Sequence, residues 1–407
     1  MWIARQIRGF FDHFYKLPHA VPEWSHRELA AILSCLLNGQ VSGGPHSQQL
    51  EEKIKGILGA DYVLGFDSGR SAIEVALRAL DLNPGDEVIV PSFCCLGAVL
   101  PIIRSGCSPV FADVDDTLNI DPEKIPGLIS RKTRAILVPH LFGRPARIDD
   151  ISRFAREHSL FVIDDAAQAF GATLDGKPLG AFGDVGIVSF GPGKTLVATA
   201  GGMLVTHHRE LFLKAKALSV PRLDNFETLS RLTHFVLRRR FRGATLPFYA
   251  AYERLSRRFL APRDPDSYEL RQMANVDAAI GLVQLSKLDE LLDKRVRYAE
   301  YLTDRLEPLG FLCLPAHFKG SVYTKYVVRL ENTASRAQLL GFLRSKGIEV
   351  QPSYTPLHID RLKNYARGPL PVTEALWDKL LPLPCEPSMN SSQLTYLVRA
   401  LEEFRVA

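Results

Sequence analysis

Residues 134–168 read RAILVPHLFGRPARIDDISRFAREHSLFVIDDAAQ, and this stretch decides the fold. Two apolar runs, RAILVPH and LFVID, flank DISRFAREH, where apolar residues recur at helical spacing. Strands that are apolar throughout and alternate with helices are typical of a parallel sheet covered on both faces. The stretch therefore predicts a strand–helix–strand unit of an α/β fold.

The same alternation extends over residues 61–207. Its other apolar runs are YVLGF (62–66), DEVIV (86–90), PVFADV (109–114), VGIVSF (185–190) and GGMLVT (201–206). Between the first two, SAIEVALRAL (71–80) places Ile73, Ala76 and Leu77 on one helical stripe. We therefore expect one large, mostly parallel sheet, with a ligand site beyond the carboxyl ends of its strands.

The C-terminal part of the chain predicts a smaller α+β domain. A long helical pattern begins at Asn275 and ends at Gly310. The strand candidates that follow are YVVRL (326–330) and IEVQP (348–352), and the helix candidates are RAQLLGFLRSKG (336–347) and SQLTYLVRALEEF (392–404). We expect residues 1–285 to form an N-terminal arm and the large domain, and residues 286–407 to form the small domain.

Composition excludes several classes of protein. A net charge of +5 is small for 407 residues, so it does not indicate a nucleic-acid binder. The six cysteines contain no CxxC pair and no zinc-site spacing, so we expect no metal. The basic N-terminus lacks the apolar core of a secretory signal, and no later run approaches the ~20 apolar residues of a membrane span. We expect a cytoplasmic protein.

Polar residues follow three of the predicted strands. They are Ser68-Gly69-Arg70-Ser71, Asp164-Asp165 with Gln168, and Ser189 with Lys194. Taken singly, the serines and aspartates are ordinary helix caps and Lys194 is an ordinary loop lysine. Together and in this order they meet the needs of a pyridoxal 5′-phosphate (PLP) site, which are a lysine imine, a carboxylate on the pyridine nitrogen and an anion cup. Residues 69–71 open a helix, whose free N–H groups suit a phosphate.

Several blocks then resemble the DegT/DnrJ/EryC1/StrS aminotransferase family. They are SGRSAIEVALRAL, GDEVIVPSF, PVFADVD, FVIDDAAQAFGA, GDVGIVSFGPGK and AGGMLVT, followed by AAIGLVQLSKLDELLDKR, YTPLH and LPLPCEPSMNSSQ. The resemblance covers most of the chain. It implies an aspartate-aminotransferase-like fold (fold type I), PLP as cofactor, and a homodimer with the active site at its interface.

The resemblance assigns roles residue by residue. It makes Lys194 the lysine that forms the Schiff base and Ser189 a phosphate ligand, with Asp165 on the pyridine nitrogen and Gln168 near the ring oxygen or substrate. Relatives that remove a sugar hydroxyl have histidine in place of this lysine, so lysine predicts amino transfer. Asp164 should point the other way, because adjacent strand residues face opposite sides, and a capping or structural role is expected for it.

The chain also departs from the family pattern. Arg70 stands where the family has threonine, and Cys95 stands where an aromatic residue stacks on the cofactor. Leu270 falls near the asparagine that reaches the partner's phosphate. His358 matches a family histidine near the substrate. His140 ends a predicted strand that points to the same crevice, so we predict that both histidines bind substrate.

The family resemblance predicts transfer of an amino group from an amino acid, usually L-glutamate, to the keto group of a nucleotide-linked sugar. Two alternatives remain open: a non-sugar or lipid-linked carbonyl substrate, and a non-catalytic PLP-binding relative. The lipid alternative rests on residues 225–263, where the family has a shorter connection.

Residues 225–263 carry two apolar stripes at helical spacing and many arginines. The stripes are Leu229, Leu232, Phe235 and Val236, then Phe248, Ala251, Leu255 and Phe259. The arginines are Arg238, Arg239, Arg240, Arg242, Arg254, Arg257 and Arg258. A helical hairpin packed on its own protein, a clamp for a nucleotide diphosphate, and peripheral contact with an anionic membrane are the three interpretations.

Overall fold

A computed structural model describes residues 16–19, 22–218, 220–241 and 268–406, with backbone only for 237–241 and 405–406. Most of the predicted basic insertion therefore lies outside the described residues. The second apolar stripe (Phe248, Ala251, Leu255 and Phe259) lies there with Arg242, Arg254, Arg257 and Arg258, as do the side chains of Arg238, Arg239 and Arg240.

Seven strands form the central sheet, in the order β1-β9-β8-β5-β4-β2-β3. They are β1 (Tyr62–Phe66), β2 (Glu87–Pro91), β3 (Ser108–Ala112), β4 (Thr133–Pro139), β5 (Phe161–Asp165), β8 (Val185–Ser189) and β9 (Gly202–Thr206). Two short strands, β6 (Thr173–Leu174) and β7 (Lys177–Pro178), form a separate hairpin. Within the central sheet, β9 is antiparallel to both of its neighbours and the other pairs are parallel. The predicted mostly parallel α/β sheet is confirmed.

Helices cover both faces of this sheet and build the C-terminal part. They are α1 (His26–Leu37), α2 (His46–Leu58), α3 (Gly69–Ala79), α4 (Leu96–Arg104), α5 (Ile148–Glu157), α6 (Arg209–Ala217), α7 (Asn225–Phe241), α8 (Asn275–Leu285), α9 (Leu288–Leu306), α10 (Thr333–Ser345), α11 (Pro371–Leu376) and α12 (Ser391–Val406). Neighbouring residues of β2 illustrate the two-sided burial: Val90 packs in one apolar cluster and Ile89 in another. Successive side chains of a strand point to opposite faces, which is why these strands are apolar throughout.

The C-terminal part has its own apolar core and a two-stranded sheet. Strand β10 (Tyr326–Arg329) pairs antiparallel with β11 (Leu380–Leu383). The predicted strand at 348–352 is wrong: Ile348 makes only an isolated bridge, with Leu17. The sequence of β11, LLPL, gives a weak strand signal because its proline lacks an N–H. A two-stranded sheet tolerates this proline, because each of its strands is an edge strand.

The long helical pattern after Asn275 forms two helices, α8 and α9, and the helical stretch ends, as predicted, at Gly310, which has a left-handed conformation (φ 74°). Leu291 of α9 packs beneath the large sheet, whereas Leu302 packs in the C-terminal core. Leu17 also packs in the C-terminal core, although the sequence places it in an arm of the large domain. Through Leu291 and Leu302, helix α9 contributes to both cores.

The first half of the predicted basic insertion is helix α7. Its apolar stripe faces inward, as predicted for a helix packed on its own protein: Leu232 is buried, and the ring of Phe235 lies 5.1 Å from that of Trp24. Among the residues that the structure describes, no helix is long and apolar enough to cross a membrane.

Candidate active site

A cavity of about 850 Å³ opens beyond the carboxyl ends of β4, β5 and β8. Eight of the predicted site residues line it: Ser68, Gly69, Arg70, Cys95, Asp165, Gln168, Ser189 and Lys194. They come from four separate strand ends and loops, so the fold brings together residues up to 126 positions apart in the chain (68 to 194). The predicted residues Ser71, His140 and His358 do not line the cavity.

The first turn of α3 forms one wall. Ser68 caps the helix, since its Oγ accepts a hydrogen bond from the Ser71 N–H at 3.2 Å. The Ser71 side chain is fully buried and its hydroxyl donates to Asp67 at 2.6 Å. Both polar groups of Ser71 thus have partners within the protein, and the residue does not line the cavity. The N–H groups at Gly69 and Arg70 have no intrahelical acceptors, and both residues line the cavity.

Two close approaches shape an anion cup at this helix end. A Cβ on Gly202 of β9 would lie 2.3 Å from the Gly69 nitrogen, so only glycine lets β9 pass the helix terminus. A Cβ on Gly69 would lie 3.4 Å from Ser189 Oγ, which places that hydroxyl against the same terminus. Backbone N–H groups, a helix dipole and a hydroxyl converge here, and this donor set fits a phosphate.

Arg70 adds a positive charge to the cup. Its guanidinium lies 4.8 Å from the ring centre of Tyr268, and its stem packs on α4, since a Cβ on Gly97 would lie 3.2 Å from Arg70 Cδ. Tyr268 is itself fixed, because its hydroxyl donates to the buried Glu74 at 2.6 Å and the Arg104 guanidinium lies 4.5 Å from its ring centre. Within the described part of the chain, no carboxylate forms an ion pair with Arg70, so its charge is available to a ligand.

Asp164 and Asp165 separate as predicted. Asp165 lines the cavity and accepts the Ala167 N–H at 3.0 Å. Burial raises the pKa of Asp165, and the nearby Lys194 ammonium opposes that shift. Asp164 is fully buried behind the strand and accepts the N–H groups of Gly180 (2.8 Å) and Phe182 (2.9 Å).

Lys194 ends the tight loop after β8. Its backbone N–H donates to Gly191 at 3.3 Å, and its carbonyl accepts a hydrogen bond from Arg295 of α9 at 3.5 Å. Arg295 is buried and also pairs with Glu386 at 3.3 Å. The loop that carries the predicted imine lysine is therefore tied to the C-terminal part of the chain.

His140 is held within the protein by both ring nitrogens. Its Nδ1 accepts the Ala146 N–H at 2.9 Å, which leaves the proton on Nε2, and Nε2 donates to Asp164 Oδ1 at 2.8 Å. The side chain is fully buried. The structure thus places His140 behind the strand end, where it orients Asp164 and has no nitrogen left for a substrate.

His358 is also engaged at both nitrogens. Nδ1 lies 2.6 Å from Ser92 Oγ, and Nε2 lies 3.1 Å from Glu374. With 5% of its surface exposed, it joins β2 to the C-terminal part of the chain and does not reach the cavity. Ser92, His358 and Glu374 are connected as in a catalytic triad, but Ser92 is fully buried and therefore cannot act as a nucleophile.

Sequence reasoning missed three residues near the site. Arg231 of α7 lines the cavity and pairs with the buried Asp277. Tyr354 lies beside Cys95 and Gln168, and burial raises the pKa of its phenol. Lys325 lies over the Tyr354 ring. Tyr354 stands in the YTPLH block, and the other two carried no motif signal.

Comparison with known proteins identifies close relatives. The model of the DegT/DnrJ/EryC1/StrS aminotransferase family matches residues 22–402. GDP-perosamine synthase of Caulobacter vibrioides is 30% identical over 395 residues, covering 95% of this chain and 98% of that protein.

Two solved structures align over nearly the whole chain. DesV of S. venezuelae, solved with a ketimine intermediate, is 28% identical with a TM-score of 0.75, covering 93% of this chain and 94% of that one. The Bacillus subtilis protein ntda, solved with bound cofactor PMP, is 26% identical with a TM-score of 0.75, covering 94% and 82%. These likenesses confirm the predicted fold type I.

Proposed function

Since this chain belongs to the DegT/DnrJ/EryC1/StrS aminotransferase family and is a PLP-dependent aminotransferase, we propose that it transfers an amino group from L-glutamate to the keto group of a nucleotide-linked sugar. The observation that carries this proposal is one cavity that holds Lys194, Asp165 and the phosphate-type cup of Ser68, Gly69 and Ser189. The similarity to GDP-perosamine synthase supports the nucleotide-sugar substrate.

Lys194 and Asp165 divide the chemistry. When bound, PLP acts as an electron sink for the α-carbon of the attached amino acid. The Lys194 amine would hold the cofactor covalently, and the same amine, once free, would serve as the base that accepts and returns the donor's α-proton. The Asp165 carboxylate would pair with the pyridine nitrogen of the bound cofactor and keep that nitrogen protonated. Burial of Asp165 strengthens this interaction, because water does not screen it.

The first turn of α3, Ser189 Oγ and Arg70, which all line the cavity, would hold the cofactor's phosphate. Arg70 supplies charge that the helix terminus alone lacks, and a guanidinium can bind two phosphate oxygens at once. Leu270, at the position of the family's cross-subunit asparagine, packs instead against the core of its own chain. We propose that Arg70 takes over this part of the phosphate contact within each subunit of a homodimer.

Cys95 replaces the aromatic residue expected over the cofactor ring. It stands at the N-terminus of α4 and is partly exposed in the cavity. We propose that its small side chain lies on the ring face. Gln168, beside the phenol of Tyr354, is proposed to contact the ring oxygen.

The test follows the visible spectrum of the purified holoenzyme. L-glutamate should convert the band of the lysine-bound cofactor to that of the amine form, and a nucleotide-linked keto-sugar should restore it. The panel pairs GDP-, UDP- and TDP-linked keto-sugars with the same sugars lacking the nucleotide and with an amphiphilic ketone. Restoration by the amphiphilic ketone alone would favour the lipid-linked alternative. Conversion by no amino acid would favour a non-catalytic relative.

The role of residues 225–263 is tested separately. If the segment clamps a nucleotide, the triple change of Arg238, Arg239 and Arg240 to Gln should raise the KM for the nucleotide-sugar. Membrane contact predicts co-sedimentation with anionic vesicles that this triple change abolishes and that moderate salt weakens. Neither effect would appear if the segment only packs on its own protein, as α7 does through Leu232 and Phe235.

A further inference from the structure

Lys325 is a partly buried lysine of the C-terminal part that lines a second cavity, of about 230 Å³, together with Phe142, Arg144 and Tyr323. It immediately precedes β10, and its Nζ lies 5.6 Å from the ring centre of Tyr354 and 5.9 Å from that of Phe142. The two rings are nearly parallel, with an angle of 9° between their planes. The ammonium thus sits on aromatic surfaces that replace much of its water.

Lys325 does not line the active-site cavity, but it lies close enough to charged residues of that cavity to interact with them. Burial lowers the pKa of Lys325, the Glu386 carboxylate opposes that shift, and the Lys194 ammonium adds to it. Cys95, on the cavity wall, acts on the same group. Lys325 and Lys194 are therefore two cations that share one poorly screened region.

Lys325 lacks a dedicated anion. Glu386, the nearby acid, already pairs with Arg295 at 3.3 Å. In the described ranges, no carboxylate or carbonyl oxygen forms a hydrogen bond or ion pair with Lys325 Nζ. An ammonium removed from water without an anionic partner is costly, and the aromatic faces offset only part of that cost. Such a residue is expected where a ligand brings the missing negative charge.

We propose that Lys325 binds the carboxylate of the amino donor. The inference rests on the proposed amino transfer: the donor's amine reacts at Lys194, so its carboxylate must be neutralised within reach of the same cavity. Arg70, at the start of α3, is assigned to the phosphate cup, and Arg231, which also lines the cavity, already pairs with Asp277. Lys325, held between the two parts of the chain by Tyr354 and Phe142, supplies the second cation.

Equilibrium binding of succinate, which has carboxylates but no amine to react, tests the contact without turnover. Succinate is titrated into the holoenzyme and followed by the visible band of the bound cofactor. Lys325→Met should raise the Kd for succinate about 10- to 100-fold, the size expected for one charge-assisted hydrogen bond. Lys325→Arg should recover most of the affinity. Lys319→Met, which removes an exposed lysine nearby in sequence, should leave it unchanged.

Half-reactions then separate a donor contact from a general defect. For Lys325→Met, the KM for L-glutamate should rise by a similar factor with kcat nearly constant, and the amine form should react with the keto substrate at the wild-type rate. Wild-type affinity of Lys325→Met for succinate would overturn the proposal while leaving the proposed function intact. If the wild type binds succinate through Lys325 but accepts no amino donor, the proposed function fails and the anion site stands.

Discussion

Asp164 and Asp165 are consecutive residues of β5, yet their carboxylates face opposite sides of the sheet. Asp165 faces the cavity, whereas Asp164 lies behind it and accepts hydrogen bonds from Gly180, Phe182 and His140. One dipeptide therefore supplies the proposed cofactor ligand and the group that holds the loop after β7.

Changing each aspartate to asparagine should separate these roles. Asp165→Asn should fold and bind cofactor but lose about 10²- to 10³-fold in kcat, because a neutral amide cannot stabilise the pyridinium charge. Steady-state amino transfer and the visible spectrum measure this. An equal kcat loss in Asp164→Asn at unchanged stability would reverse the two assignments.

Asp164→Asn should instead unfold more easily. The asparagine NH₂ would face the Nε2–H of His140, and this ring cannot change tautomer because its Nδ1 accepts the Ala146 N–H. An unsatisfied buried donor costs about 1–3 kcal/mol. Urea denaturation of Asp164→Asn and Asp165→Asn side by side should show this loss of unfolding free energy for Asp164 alone.

Lys194→Ala should abolish covalent attachment of the cofactor. The band of the lysine-bound form should disappear, and multiple-turnover amino transfer should fall by about 10²- to 10⁴-fold or more, because the base that moves the proton is lost. Lys319→Ala is the matched surface control. Full steady-state activity in Lys194→Ala would remove the basis of the proposed mechanism.

Arg295 and Glu386 form a buried ion pair that ties α9 and the C-terminal part to the Lys194 loop. Arg295→Met should cost about 3–5 kcal/mol of unfolding free energy, because it leaves a buried carboxylate unpaired. The double variant Arg295→Met/Glu386→Gln should recover part of this loss, and thermal denaturation of the four proteins measures the coupling. Purely additive effects would mean that the two side chains act independently.

Glu51 should give a pH-dependent stability effect. Burial raises its pKa from the usual 4.5 to about 6, although the Gly65 N–H donates to it at 2.8 Å. Because the folded pKa lies above the unfolded one, the stability it contributes is complete below pH 4.5 and is lost as pH rises through 6.

Glu51→Gln keeps an acceptor without the charge. It should therefore match the wild type at pH 4 and exceed its unfolding free energy by about 1 kcal/mol at pH 8. Denaturant unfolding at pH 4, 6 and 8 measures the difference, with the exposed Glu52→Gln as control. A variant no more stable than wild type at pH 8 would contradict the assignment.

Local patterns were sufficient for the large sheet and for the residues at its strand ends. Each central strand is apolar on both faces, so its identity follows from local composition, and parallel order brings the strand ends to one edge. Ser68, Asp165, Ser189 and Lys194 could therefore be placed at one site. The strand β11 could not, because Pro382 weakens its signal and pairing with β10 decides its state.

The sequence by itself determined the fold class and the main chemical groups, since strand and helix periodicity and short motifs are local properties of the chain. Only the tertiary structure decided which polar groups remain free for a ligand. His140 and His358 carry suitable atoms, but Asp164 and Ser92 bind them from distant segments, and the neighbouring Asp67 binds the hydroxyl of Ser71. Arg70 and Lys325 lie beside aromatic rings and form no ion pair with a carboxylate of the residues that the structure describes. Hydrogen bonding and burial depend on contacts between residues far apart in sequence, which no local pattern contains.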